Sequence, residues 1–156
     1  MGYTHYWHQK RDLTNDEWSI LTTKVREILD ATTVALESDI LSNGTSYQVT
    51  DDIIEFNGFD DEAHETFIIN RLKRERSEWT DVEQYNRDGA FDCCKTAQKP
   101  YDEVVLAILL VIRDTLGEAF SVSSDGDIDN DDGEEARELL KKAFINAHIK
   151  LMHVGD

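Results

Sequence analysis

In KPYDEVVLAILLVIRDTLG, residues 99–117, the sequence places a helix inside the protein. Pro100 is the chain's single proline and stands where first-turn prolines stand, since a missing N–H costs nothing there. Asp102 and Glu103 follow, favourable at the positive end of a helix dipole, and Gly117 supplies the stop. From Val104 to Ile112 every residue is apolar. A helix that is apolar all round must be covered on most sides, and this run is far too short to cross a bilayer. The spacing predicts a buried helix over 101–116, packed against a sheet that contains residues 3–7.

Working outward from that helix, AFDCCKT (90–96) reads as a short strand. Residues 71–90 have no sustained period and are expected to form a loop with a short helix. They hold the one dense basic patch, Arg71, Lys73, Arg74 and Arg76. HETFIIN (64–70) reads as a strand with Phe67 and Ile69 on one side. Tyr47 and Val49, then Ile53 to Phe56, favour two further short strands, punctuated by Asn43-Gly44 and Asn57-Gly58. The aromatic–polar alternation of residues 2–8 predicts a first strand. Thr14 and Glu17 have capping-box spacing. The apolar steps Trp18, Leu21, Val25, Ile28, Leu29, Thr32 and Leu36 then predict a helix to about Leu36.

Downstream, Ala119–Ser123 reads as a strand, Ser124–Asp132 as an acidic, mobile loop, and Asp132 with Glu135 as a second capping box. The last helix carries Ala136, Leu139, Leu140, Ala143, Phe144 and Ala147 on one face. The fold class is α+β: a small antiparallel or mixed sheet packed with about three helices, in one domain over residues 1–156.

The 156 residues carry a net charge of −17. That charge opposes direct binding to nucleic acid and to anionic membranes, because the long-range field repels both. It is compatible with a basic protein partner, with a cation or simply with solubility. The two cysteines, Cys93 and Cys94, are adjacent and cannot easily bridge each other, so a secreted disulfide framework is not expected. The opening residues have no apolar signal-peptide core, so a cytoplasmic location is expected, the host's cytoplasm if the gene is carried by a phage.

Several groups are candidates for chemistry. The stretch from Asp125 to Glu135 has seven carboxylates in eleven residues, the composition that attracts calcium. The EF-hand register fails, however. Counting from Asp127 puts Asp132 where glycine is required, and counting from Asp125 puts Ala136 where the bidentate Glu belongs. The cysteines and histidines have no zinc-ligand spacing, so no metal and no cofactor is implied. Cys94 beside Lys95 is a candidate for a lowered thiol pKa, against the blander role of a small buried hydrophobe. Lys95, Thr96, Lys99, Tyr101 and Asp102 bunch before the apolar helix, where free N–H groups and two lysines suit a small anion. The glycines of a P-loop are absent. Tyr3, His5, Tyr6 and Trp7 have rings that can stack on a planar ligand.

The motifs GYTHYW (2–7), CKT-x-x-KPYD (94–102) and SSDG (123–126) resemble those of a family of uncharacterised small proteins of bacteriophages and bacteria. The resemblance covers most of the chain. It implies a phage or prophage setting and no particular reaction, and the acidic stretch after SSDG is this chain's own addition.

Three functional expectations follow. The first is a phage accessory, anti-defence protein that binds a small anionic or nucleotide-like ligand and sequesters a host immune signal, with a homo-oligomer as an open option. Its expected pocket is lined by Tyr3, His5, Lys95, Thr96, Lys99, Tyr101, Asp102, Ser124 and Asp125, all at strand ends or a helix start. The second is an acidic inhibitor that imitates DNA and binds a basic host protein. The third is an enzyme acting on a phosphate or nucleotide, with His5, Lys95, Lys99 and Asp102 as acid–base groups.

Overall fold

A computed structural model describes residues 3–41 and 44–154, with side chains described as far as residue 146. The expected Asn43-Gly44 turn therefore falls partly outside the described residues, and so does the side chain of Ala147. The elements in chain order are β1 (Thr4–Gln9), α1 (Asn15–Ala31), β2 (Leu36–Glu37), β3 (Gln48–Val49), β4 (Ile53–Gly58), β5 (Phe67–Asn70), α2 (Val82–Asp88), β6 (Ala90–Lys95), α3 (Asp102–Thr115), β7 (Phe120–Ser124) and α4 (Glu134–Val154). The fold is α+β, with four helices packed on two small sheets, where one sheet and about three helices were expected. All pairings in both sheets are antiparallel.

The apolar run forms the central helix α3. Every residue from Val104 to Ile112 is buried. Pro100 lies just before the cap at Tyr101, and the helix ends at Thr115, two residues short of Gly117. Strand β1 runs through the middle of the first sheet, in the order β6–β1–β7. Its alternation sends His5, Trp7 and Gln9 into the interior and leaves Thr4, Tyr6 and His8 half-buried on the outer face.

The capping box at Thr14 forms as the sequence implies: Thr14 Oγ1 accepts from the Glu17 N–H at 3.1 Å, and Glu17 Oε1 accepts from the Thr14 N–H at 3.0 Å. Helix α1 stops at Ala31, short of the expected Leu36. Thr32 is already extended, with φ −70° and ψ 144°, at the start of the β-branched run Thr32-Thr33-Val34, which resists helical χ1 crowding. Leu36 pairs instead with Gly58 in the second sheet. The expected capping box at Asp132 does not form. The Asp132 carboxylate turns back into its own loop and accepts the Asp127 N–H at 2.6 Å.

In the second sheet β4 bonds to β2, β3 and β5. It carries Glu55, a fully buried carboxylate. Among the described residues no cation pairs with it. Three donors do: Ser38 Oγ at 2.5 Å, the Asp39 N–H at 2.8 Å and Gln48 Nε2 at 3.3 Å. A buried carboxyl group is tolerated when it is hydrogen-bonded in this way. The two sheets are tied at both ends of the gap between β5 and β6: the Glu65 N–H donates to Lys95 O at 3.1 Å, and Gln9 Nε2 donates to Arg71 O at 3.1 Å.

Candidate functional site

The three sequence motifs meet at the end of the first sheet where β1 begins, β7 ends and α3 starts. The register of the sheet causes this. His5 lies opposite Ser124 on β7 and opposite Cys94 on β6, so its side chain points inward between the two outer strands, beneath the first turn of α3.

His5 is fully buried and bonded on both ring nitrogens. Nδ1 lies 2.5 Å from Ser124 Oγ, and Nε2 lies 2.7 Å from Asp102 Oδ1. A carboxylate only accepts, so in the neutral ring Nε2 carries the proton and Nδ1 accepts from the Ser124 hydroxyl. Thr96 Oγ1, also buried, donates to the same Asp102 oxygen. Asp102 keeps 19% of its side chain exposed, and its second oxygen takes no hydrogen bond from the described residues. The result is a chain Ser124–His5–Asp102–Thr96 drawn from all three motifs, with one carboxylate oxygen left over.

Tyr3 packs edge-on against His5, ring centroids 5.2 Å apart. Its hydroxyl is buried without a hydrogen-bond partner among the described residues. The Gly126 N–H is near enough to favour the phenolate slightly but does not meet hydrogen-bond geometry. Burial outweighs it, and Asp102 and Asp132 add to burial, so the phenol is held above its ordinary pKa and stays a donor. Gly126 lets these side chains approach the backbone closely: a Cβ at that position would lie 2.5 Å from the Tyr3 hydroxyl oxygen and 2.6 Å from Asp132 Oδ2, and those side chains would have to move aside.

The turn that carries Thr96 toward Asp102 is unusual. Ala97 and Gln98 have φ of +52° and +56°, a left-handed pair without glycine. The turn is held from outside: the N–H groups of Thr96 and Ala97 both donate to Tyr3 O, at 3.0 and 3.2 Å, and the Gln98 N–H donates to Thr96 Oγ1 at 3.3 Å. Surrounding bonds of this kind are what lets such backbone persist.

The remaining expected pocket residues are not brought to His5. Lys95 alternates with Cys94 and so falls on the outer face of the sheet, beside Thr4. Its ammonium makes no ion pair or hydrogen bond among the described residues. Lys99 reaches away to Asp61 O at 3.3 Å. Neither lysine pairs with Asp102. Tyr101 is buried and donates to Glu65 O at 2.6 Å. Burial, with Cys94 beside it, raises the pKa of its phenol. Asp125 works on the outer face, accepting the Thr4 N–H at 3.0 Å and the Tyr6 hydroxyl at 2.8 Å. Cys94 is a buried thiol pushed up to about 12, chiefly by burial. That contradicts the lowered pKa entertained for it, because Lys95 points to the other face and desolvation outweighs the lowering contact from Tyr101.

The acidic loop is internally tied. Asp127 Oδ2 accepts from Asn130 at 2.8 Å, Asp129 pairs with Arg113 at 2.8 Å, and Arg137 donates to Ile128 O at 2.8 Å and Asn130 O at 2.5 Å. Among the described residues no group of three or more His, Cys, Asp or Glu side chains is placed to hold a metal ion. No described helix is long and apolar enough to cross a membrane. The sequence offered no signal for a cleft of about 590 Å³ bordered by Thr32, Glu103, Glu134, Glu135, Glu138 and Lys142. Its residues come from three helix ends and share no local motif. Glu103 there has its pKa raised, by burial first and then by Glu135.

Set against known proteins, the chain matches no family model, no curated protein and no solved structure.

Proposed function

We propose that this chain is a phage accessory protein that binds a small nucleotide-like ligand at the Tyr3–His5–Ser124–Asp102 end of the first sheet and thereby sequesters a host immune signal. The observation that carries the proposal is the convergence of GYTHYW, CKT-x-x-KPYD and SSDG on one hydrogen-bonded cluster. The phage setting rests on the resemblance of those motifs. The cluster offers a ring and, among the described residues, a phenol without a partner and a carboxylate oxygen without a hydrogen bond. These groups match the base and sugar hydroxyls of a nucleoside. With Lys95 and Lys99 directed elsewhere, the phosphate side of such a ligand has no cation in the cluster to meet. The test is thermal shift and calorimetry with nucleosides, mononucleotides and cyclic oligonucleotides, beside mass spectrometry of small molecules released from protein purified out of infected cells. Binding by one class, weakened by roughly 1.5–3 kcal/mol in Asp102→Ala, supports the proposal. No bound small molecule and no shift with any of them sinks it.

A second reading, an acidic inhibitor of a basic host protein, is favoured by the cleft of four glutamates that lies beside the acidic loop. Capture of a basic nucleic-acid-binding protein that is lost in Glu134→Lys with Glu138→Lys, and kept in Asp102→Ala, selects this reading over the first.

A further inference from the structure

We propose that Ser124 is a nucleophile and that the same cluster hydrolyses neutral carboxylic esters through an acyl-serine intermediate. The inference rests on this site admitting a small ligand, and not on that ligand being a nucleotide. Its warrant is the order of the hydrogen bonds. Ser124 Oγ, His5 and Asp102 form a line, 2.5 Å from hydroxyl to one ring nitrogen and 2.7 Å from the other nitrogen to the carboxylate, in which a neutral ring accepts from the hydroxyl and donates to the carboxylate. That is the nucleophile–base–orienter relation by which a serine is activated, recognised by roles and not by sequence position. The ring is used with its nitrogens exchanged relative to the chymotrypsin arrangement, serine on Nδ1 and aspartate on Nε2, which leaves the proton path intact.

In the step proposed, Ser124 Oγ attacks the ester carbonyl carbon while its proton passes to His5 Nδ1. The C–O bond to the alcohol then breaks, and the departing oxygen takes that proton from His5. Water repeats the sequence, giving its proton to His5 and its oxygen to the acyl carbon. The bond from the acyl carbon to Ser124 Oγ then breaks and His5 returns the proton to that oxygen, so ester and water give an alcohol, a carboxylic acid and the restored serine. Asp102 and Thr96 are positioning residues: Thr96 donates to the oxygen that holds His5 in its tautomer. The Tyr3 hydroxyl, buried beside Gly126 and without a hydrogen-bond partner among the described residues, is assigned as the donor to the developing oxyanion. The substrate class follows from charge. A free carboxylate at Asp102, no lysine in the cluster and a chain of net charge −17 disfavour an anionic phosphoester and leave a neutral ester.

The test treats the intact chain with a fluorophosphonate probe and with p-nitrophenyl acetate, and maps adducts by mass spectrometry. The expected result is one adduct on Ser124, absent in Ser124→Ala. Tyr3→Phe, which keeps the ring, should slow acetate release by about 10²–10³-fold. Asp102→Asn should slow it by about 10²–10⁴-fold, and Asp102→Glu should restore part of the loss, which a merely structural carboxylate would not do. Where His5 variants fail to fold, these substitutions still decide the matter. No adduct on Ser124, or an equal rate of ester cleavage in Ser124→Ala, overturns the inference. If nucleosides still shift the melting temperature in that case, the binding proposal stands alone. An adduct on Ser124 without any ligand shift sinks the binding proposal and keeps this one.

Discussion

His5 Nε2 and Asp102 Oδ1 lie 2.7 Å apart across 97 residues of chain, and this bond joins the first strand to the first turn of the central helix. Its loss leaves two buried groups, the His5 ring and the Thr96 hydroxyl, without their acceptor. Asp102→Ala is therefore expected to destabilise the fold by about 1–3 kcal/mol, the cost of stranding buried polar groups. Asp102→Asn keeps a side-chain oxygen in place and should cost less. Urea unfolding of the two variants checks the order. Equal midpoints for wild type and Asp102→Ala would show that the bond contributes nothing to the fold.

The buried helix was legible because its signal is local: nine consecutive apolar residues admit no exposed face. The first strand was legible for the same reason, with a period of two read directly from Tyr3 to His8. The meeting of His5, Thr96, Asp102 and Ser124 was legible only as a set of motifs. Which members would face one another depends on strand parity, and parity depends on pairing register, a long-range property. Lys95 illustrates this. It adjoins Cys94 and Thr96 in the chain, yet alternation puts it on the other side of the sheet. The end of α1 was misplaced because Leu36 continues the helical period but is claimed by a strand partner, Gly58, brought from 22 positions away. The buried Glu55 had no local signal, since its donors come from Ser38, Asp39 and Gln48 after the sheet is built.

The start of α1 gives a prediction in pH. Arg11 forms a two-pronged bond to Glu17, at 2.8 and 2.9 Å, and the Thr14 N–H donates to it as well. These bonds, the Arg11 one first, lower the Glu17 pKa from its ordinary 4.5 to about 2. A depressed carboxylate contributes stability that is full above its unfolded pKa and lost as pH falls through the folded one. Glu17→Gln should thus cost at most about 1 kcal/mol at neutral pH, as exposed pairs do. The gap from wild type should close between pH 4.5 and 2. Denaturant midpoints across that range measure it, and a gap that stays constant contradicts the assignment.

The two thiols should differ in reactivity. Cys94 is fully buried, its thiol pushed up to about 12. Cys93 is half-buried, raised by burial and by the nearby Glu65 and Asp92. Iodoacetamide at pH 8 should modify the native protein slowly and only at Cys93, with Cys94 reacting after unfolding. Peptide mapping decides this, and early modification of Cys94 would mean that the core beneath β6 opens far more readily than its packing implies.

Gln98 offers a substitution that should stabilise the protein. It is exposed, its φ is +56°, and its backbone N–H bonds to Thr96 Oγ1, a contact that does not involve the Gln98 side chain. A non-glycine residue in left-handed backbone costs roughly 1–2 kcal/mol. Glycine removes that cost but adds about 0.4–1 kcal/mol of unfolded-state entropy. Gln98→Gly should therefore raise stability by about 0.5–1 kcal/mol, seen as a higher melting temperature. Ala97, with φ of +52°, is the comparison. It is partly buried beside Tyr3 O, so Ala97→Gly also gives up packing and should gain less. The test reaches the site as well, because this turn sets the distance between Thr96 and Asp102. If Gln98→Gly melts higher while ligand binding or ester cleavage falls, the strained turn holds the cluster in its working geometry. If Gln98→Gly is destabilised, its backbone is not left-handed in solution and the turn has to be redrawn.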